Sequence, residues 1–184
     1  SLDDFIKKNE NIEKLNNKLF RKKNLNNSKG KFLVIREQGV GDEILYGSMY
    51  GDLLKNIEDI TIECDPRLLN LFRRSFKKYS NNFVELGSIS SKDDELRKID
   101  HVLYAGSLGK YFRKNLSSFI NVPFIKVDEI KYKEIKNKLK EYKNKYNIGI
   151  SWKSFNNRYS SDKSLDLDDF KNVFKLPNCN IFNL

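Results

Sequence analysis

Cysteine and histidine are scarce in this chain. Its 184 residues hold two cysteines, Cys64 and Cys179, and one histidine, His101. That excludes a disulfide framework of the kind that staples small secreted domains, and it leaves too few ligands for a structural zinc site. Both cysteines lie in strand-like contexts and read as buried, reduced thiols of a cytoplasmic protein. Long apolar runs are missing as well. No stretch of eighteen apolar residues occurs, so no transmembrane helix is expected, and the acidic opening Ser1-Leu2-Asp3-Asp4 carries no signal-peptide pattern. Proline occurs three times and glycine nine times, and these few residues act as punctuation.

Charge, by contrast, is abundant. Lysine and arginine total 35 against 25 acidic residues, a net +10 at pH 7. The excess does not read as a footprint for nucleic acid. Lysines between Lys131 and Lys145 are interleaved with Glu134 and Glu141 at helical spacing, as on a solvated helix face, and no nucleic-acid motif is present. Arg73, Arg74, Lys77 and Lys78 form the densest basic cluster, at the end of an expected helix where positive charge suits the macrodipole. Phosphate-bearing ligands or anionic surfaces are still attracted at long range. The apolar fraction is 39%, gathered into compact runs, so the chain is globular and long enough to bury a core.

The most informative run begins at Phe32-Leu33-Val34-Ile35 and passes through Arg36-Glu37-Gln38-Gly39-Val40-Gly41-Asp42-Glu43 into a helical stretch from Ile44 to Lys55. A strand, a glycine-rich turn and a helix present backbone N–H groups at the carboxyl end of a sheet, where ligands of α/β proteins bind. The two glycines permit a tight turn and close backbone approach, and the helix macrodipole favours an acidic residue such as Asp42 in the first turn. A purely structural reading also accounts for the pattern: a sharp turn, with Asp42 as a cap. The dinucleotide fingerprint is not completed, because Ile44 stands where a third glycine belongs, and an acidic residue after the second strand is met only loosely by Glu63 or Asp65. No cofactor is expected.

Apolar spacing places a helix over residues 2–22, on Phe5, Ile6, Ile12, Leu15 and Leu19, followed by a polar linker over 24–31. Further strands are expected at 59–64, 83–86, 100–105, 148–152 and about 179–184. Helices are expected at 66–78, opened by Pro66, at 128–145 and at 167–174, with 106–127 irregular. Strands alternating with helices imply an α/β protein with a parallel sheet covered on both faces. A new α/β unit starts at Ile148, and too few residues follow to build an independent core around a parallel sheet. The chain therefore reads as one nearly whole domain with the opening βαβ unit of a second. The unpaired edge of that unit is expected to dock onto the first domain or to pair with another copy as a homodimer.

Three motifs follow one another in order: Glu37-Gln38-Gly39-Val40-Gly41-Asp42, Ala105-Gly106-Ser107-Leu108-Gly109-Lys110-Tyr111-Phe112-Arg113, and Ile148-Gly149-Ile150-Ser151-Trp152-Lys153-Ser154. Together they resemble the glycosyltransferase-type domain that follows tetratricopeptide repeats in many bacterial proteins. That domain is related to the ADP-heptose:lipopolysaccharide heptosyltransferases and, more distantly, to O-linked N-acetylglucosamine transferases. The resemblance covers the chain from about residue 30 onward.

It implies a GT-B architecture of two Rossmann-like domains facing across a cleft, with the acceptor mainly on the first and a nucleotide-sugar donor mainly on the second. Residues 1–30 would then be a helical connector, 31–145 the acceptor-side domain and 146–184 the start of the donor domain. Asp42 matches the Gly-Asp aspartate that looks like the base of the heptosyltransferases, with Glu43 and Glu37 as competing carboxylates. Gly39 and Gly41 would admit ligand to the turn. By similarity Lys163 would contact phosphate, on a loop that also carries Lys153, Ser154 and Arg158. Ser107 and Arg113 would line the acceptor cleft, although Arg113 reads equally well as an ion-pair partner. Trp152 and His101 read as core residues. The partners implied are a nucleotide-sugar donor and a carbohydrate or protein hydroxyl acceptor. The rival from another class is a non-catalytic Rossmann-like scaffold associated with helical repeats.

Overall fold

A computed structural model describes residues 11–25, 28–119, 121–153 and 164–184. Two compact units divide the chain, residues 1–127 and 128–184.

In the first unit residues 11–17 form a helix, α1. The four-residue run FLVI forms β1, Phe32–Ile35, with every residue buried. Two helices follow, α2 (Val40–Gly47) and α3 (Tyr50–Asn56), broken at Ser48 and Met49 where the sequence reads as one helix. Next come β2 (Ile60–Cys64) and α4 (Pro66–Ser75). Asp65 caps α4 by accepting from the Arg67 N–H at 3.0 Å, and Pro66 occupies a first-turn position that needs no N–H. A 3₁₀ turn leads to β3 (Phe83–Glu85), followed by α5 (Asp93–Arg97) and β4 (His101–Tyr104). A 3₁₀ turn, Ala105–Leu108, then runs directly into the short α6, Gly109–Phe112.

All four strands are parallel, in the order β3-β2-β1-β4. This is a Rossmann-like sheet with β1 inside it. The alternation of β1 explains why a continuous apolar run was needed. Phe32 and Val34 enter one core with Tyr50, Leu53, Phe72 and Phe83, while Leu33 and Ile35 enter another with Leu15, Leu96, Ile99 and Val102. Each such fully buried side chain contributes about 1.5–3 kcal/mol. The start of the chain shares in this packing. Leu15, Phe20 and Leu25 are buried, and Leu19 bridges the outer edge of β4 at Val102. Residues 15–25 are therefore core and edge of the first unit, although their polar neighbours in sequence suggest a connector and linker.

The second unit contains α7 (Glu129–Lys138), β5 (Tyr146–Ile150), the short α8 (Lys171–Phe174) and β6 (Cys179–Asn183). β5 and β6 form a two-stranded parallel sheet in the register Ile148 opposite Ile181. Helix α7 belongs to this unit, since the division falls before it. Among the described residues of the second unit none is buried.

Candidate functional site

The carboxyl edge of the four-stranded sheet gathers the turns after β1, β2 and β4. Between β1 and β4 the connections diverge to opposite sides, which is where ligands of open α/β sheets sit. The residue with left-handed backbone in the β1 turn is Gln38, at φ 62°, and neither glycine has a positive φ. The glycines are thus not required by the turn. A Cβ built on Gly41 meets nothing within 4 Å, and one on Gly39 meets only the Asp42 carboxylate at 3.6 Å. What they create is open backbone at the start of α2.

Four carboxylates converge on this edge and the structure separates them. Glu43 is fully buried. Its Oε1 accepts from the Asp65 N–H at 2.9 Å, and its Oε2 lies 2.7 Å from Arg36 Nε without the alignment of a hydrogen bond. Burial pushes its carboxyl above the ordinary value, against the pull of the Asp65 N–H and Arg36. Asp65 is held well below the usual carboxylate range, mainly by hydrogen bonds from Arg67, with Arg36 also attracting it. Glu37 accepts from the Gly106 N–H at 2.8 Å and so ties the β1 turn to the β4 turn. Asp42 is exposed in the first turn of α2. One oxygen accepts from the Gly39 N–H at 3.1 Å, and the other has no partner among the described residues.

Arg36 organises the group. Beyond Glu43 it reaches Asp65 at 3.2 Å and donates to the Gln38 carbonyl at 2.6 Å, holding the left-handed residue in place. Glu63, at the end of β2, has a separate task. It is fully buried and accepts from the N–H groups of Ile89 and Ser90 and from the Ser90 hydroxyl, at 2.7, 2.8 and 2.6 Å. It anchors the loop after β3.

Of the other sequence candidates, Arg113 is a structural clamp. Its side chain is 8% exposed, pairs with Asp52 at 2.9 Å and donates to the Ser48 carbonyl, bridging the break between α2 and α3. Ser107 lines a cavity at the outer edge of β4. His101 packs between Phe20 and Phe32, with ring centroids 5.2 and 4.7 Å away. In the last turn of α4 Arg73 donates to the Phe83 carbonyl and Arg74 to the Lys126 carbonyl, so the densest basic cluster is partly spent on the fold. Cys64 is a buried free thiol, pushed up to about 12 by burial, and Cys179 is half-buried and free.

In the second unit, Lys153 is exposed at the carboxyl end of β5, beside the half-buried Trp152. Ser154, Arg158 and Lys163 lie outside the described residues. Sequence reasoning missed Arg36, whose only signal was its place immediately after β1.

These features define a Rossmann-like parallel α/β protein with an acidic, arginine-braced carboxyl edge. No protein-family model, no curated protein and no solved structure matches the chain. No helix among the described residues is long and apolar enough to cross a membrane, and no group of three or more potential metal ligands occurs among them.

Proposed function

We propose that this chain is part of a glycosyltransferase of the GT-B type, with Asp42 as the base that deprotonates the acceptor. The reading rests on the resemblance of its three ordered motifs. One structural observation supports it above others: of the four carboxylates in the turns after β1 and β2, Asp42 is the exposed one, with an oxygen that has no partner among the described residues, while Glu37, Glu43 and Asp65 are engaged internally. In the reaction, Asp42 accepts the proton of a carbohydrate or protein hydroxyl as that oxygen attacks the anomeric carbon of a nucleotide-sugar. The bond from that carbon to the nucleoside diphosphate breaks, and the diphosphate leaves with the electron pair. Cations stabilise the leaving group, a role the resemblance assigns to Lys163, with Lys153 and Ser154 as further candidates by their place after the same strand. Gly39 and Gly41 leave the backbone of the turn open to substrate.

The test is Asp42→Asn in the natural full-length protein. Turnover is expected to fall about a hundredfold or more, the usual scale of a general base, with donor binding retained. Asparagine keeps an oxygen for the Gly39 N–H, so stability should change by less than about 1 kcal/mol. Unchanged turnover removes Asp42 from the mechanism. A wild-type protein that binds partners but transfers no sugar favours the scaffold reading.

A further inference from the structure

The densest basic cluster in the sequence is partly drawn into the fold through Arg73 and Arg74, and two other cations, 89 positions apart, are brought to one cavity. It lies at the outer edge of β4 and has a volume of about 310 Å³, with the half-buried Leu19 and Tyr104 giving its accessible apolar surface and Ser107, Arg21 and Lys110 among its polar lining. Among the described residues the outer edge of β4 is bridged at one position, Val102. The Phe20 N–H donates to the Val102 carbonyl at 2.9 Å and the Val102 N–H to the Lys18 carbonyl at 2.8 Å, after which the N-terminal segment turns away. That departure opens the cavity beside Tyr104 and Ser107.

Its walls are tied together. The Tyr111 hydroxyl donates to the Lys22 carbonyl at 3.2 Å, which fixes the segment carrying Arg21 to the helix carrying Lys110. Neither cation has a carboxylate partner among the described residues, and Lys110 meets only the face of Tyr111, 4.7 Å from its centroid. Glu37 is turned to the Gly106 N–H and does not line the cavity. Two unneutralised cations, a serine hydroxyl and an apolar floor match a dianion attached to a small apolar or ring-shaped body.

We infer that this cavity binds a small phosphate monoester, its phosphate between Arg21 and Lys110 beside Ser107 and its body against Leu19 and the Tyr104 ring. The site uses neither Asp42 nor the second unit, though it takes Ser107, which the resemblance assigns to the acceptor cleft. Phosphate monoesters carry close to two negative charges at neutral pH, which two cations balance. The apolar floor adds affinity that inorganic phosphate cannot collect.

The experiment is an amide NMR titration of the 184-residue chain with phenyl phosphate and, separately, with inorganic phosphate. Saturable shifts are expected at Arg21 and across Ser107 to Lys110, with a dissociation constant on the order of 1 mM for phenyl phosphate. Inorganic phosphate should bind the same residues several-fold more weakly. The double variant Arg21→Ala/Lys110→Ala changes exposed side chains, so its spectrum should otherwise overlay, and both titrations should become flat at these residues. Shifts that do not saturate, that fall equally on the lysines of α7, or that persist in the double variant overturn the assignment. Equal affinity for the two probes overturns the role of the apolar floor.

Discussion

Replacing Arg36 with alanine should be among the most damaging single changes at the sheet edge, and its cost should depend on pH. The Arg36 side chain is 15% exposed and sits against the fully buried Glu43 at 2.7 Å. Removing one partner of a buried pair strands the other charge, at a cost of about 3–5 kcal/mol. Loss of the bond to the Gln38 carbonyl, which steadies a left-handed residue, adds about 1 kcal/mol at most. Asp65 loses less, because Arg67 still holds it. Glu43 has one escape from its stranded charge, which is to bind a proton. Its carboxyl is already raised above its ordinary 4.5 by burial, and removing Arg36 takes away an attraction that holds it down. Between the ordinary and the raised value the folded state binds the proton more tightly than the unfolded state. Stability through this group therefore falls as pH rises across that window and is restored as pH drops.

Urea unfolding of Arg36→Ala followed by far-UV circular dichroism should thus show its full loss near pH 8 and a clearly smaller loss near pH 5. Adding Glu43→Gln to Arg36→Ala should recover stability at about pH 8, because glutamine keeps an acceptor for the Asp65 N–H without the charge. A loss below about 1 kcal/mol at both pH values, or an equal loss at both, would refute the idea that Arg36 compensates a buried charge.

Glu63→Ala should cost about 3 kcal/mol or more, since it leaves the N–H groups of Ile89 and Ser90 and the Ser90 hydroxyl without an acceptor. Limited proteolysis within 86–92 would report the loosened loop. Gly47→Ala should destabilise by about 1–3 kcal/mol in thermal or urea unfolding, because its Cβ would lie 2.9 Å from the fully buried Phe72 ring. Gly41→Ala should do the opposite. A Cβ there meets open space within a helix, so stability should rise by up to about 1 kcal/mol, while a ligand that needs the bare backbone should bind less well in the full-length protein. Unchanged ligand binding would leave Gly41 with no role in access.

The parallel sheet was legible because a strand buried on both faces must be apolar at every position, and Phe32–Ile35 is. The strand and helix order was legible for a related reason. Pro66 after Asp65 and the apolar spacing of α4 are local signals, readable without a partner. The glycine turn could be placed at the sheet edge from the same local order, but not the reason for its glycines: the left-handed residue is Gln38, and Arg36 holds its carbonyl.

Side-chain roles were not local. Glu37, Asp42 and Glu43 lie within seven positions of one another, yet one reaches across to Gly106, one faces solvent and one is sealed against Asp65. Helix rotation and the position of β2 decide which is which. Arg113 likewise became a clamp only because Asp52 and Ser48 arrive from another helix region. Sequence by itself determined the layers, through burial patterns that each segment carries alone. Tertiary structure decided which charges are spent on the fold and which stay free, because partners distant along the chain settle that.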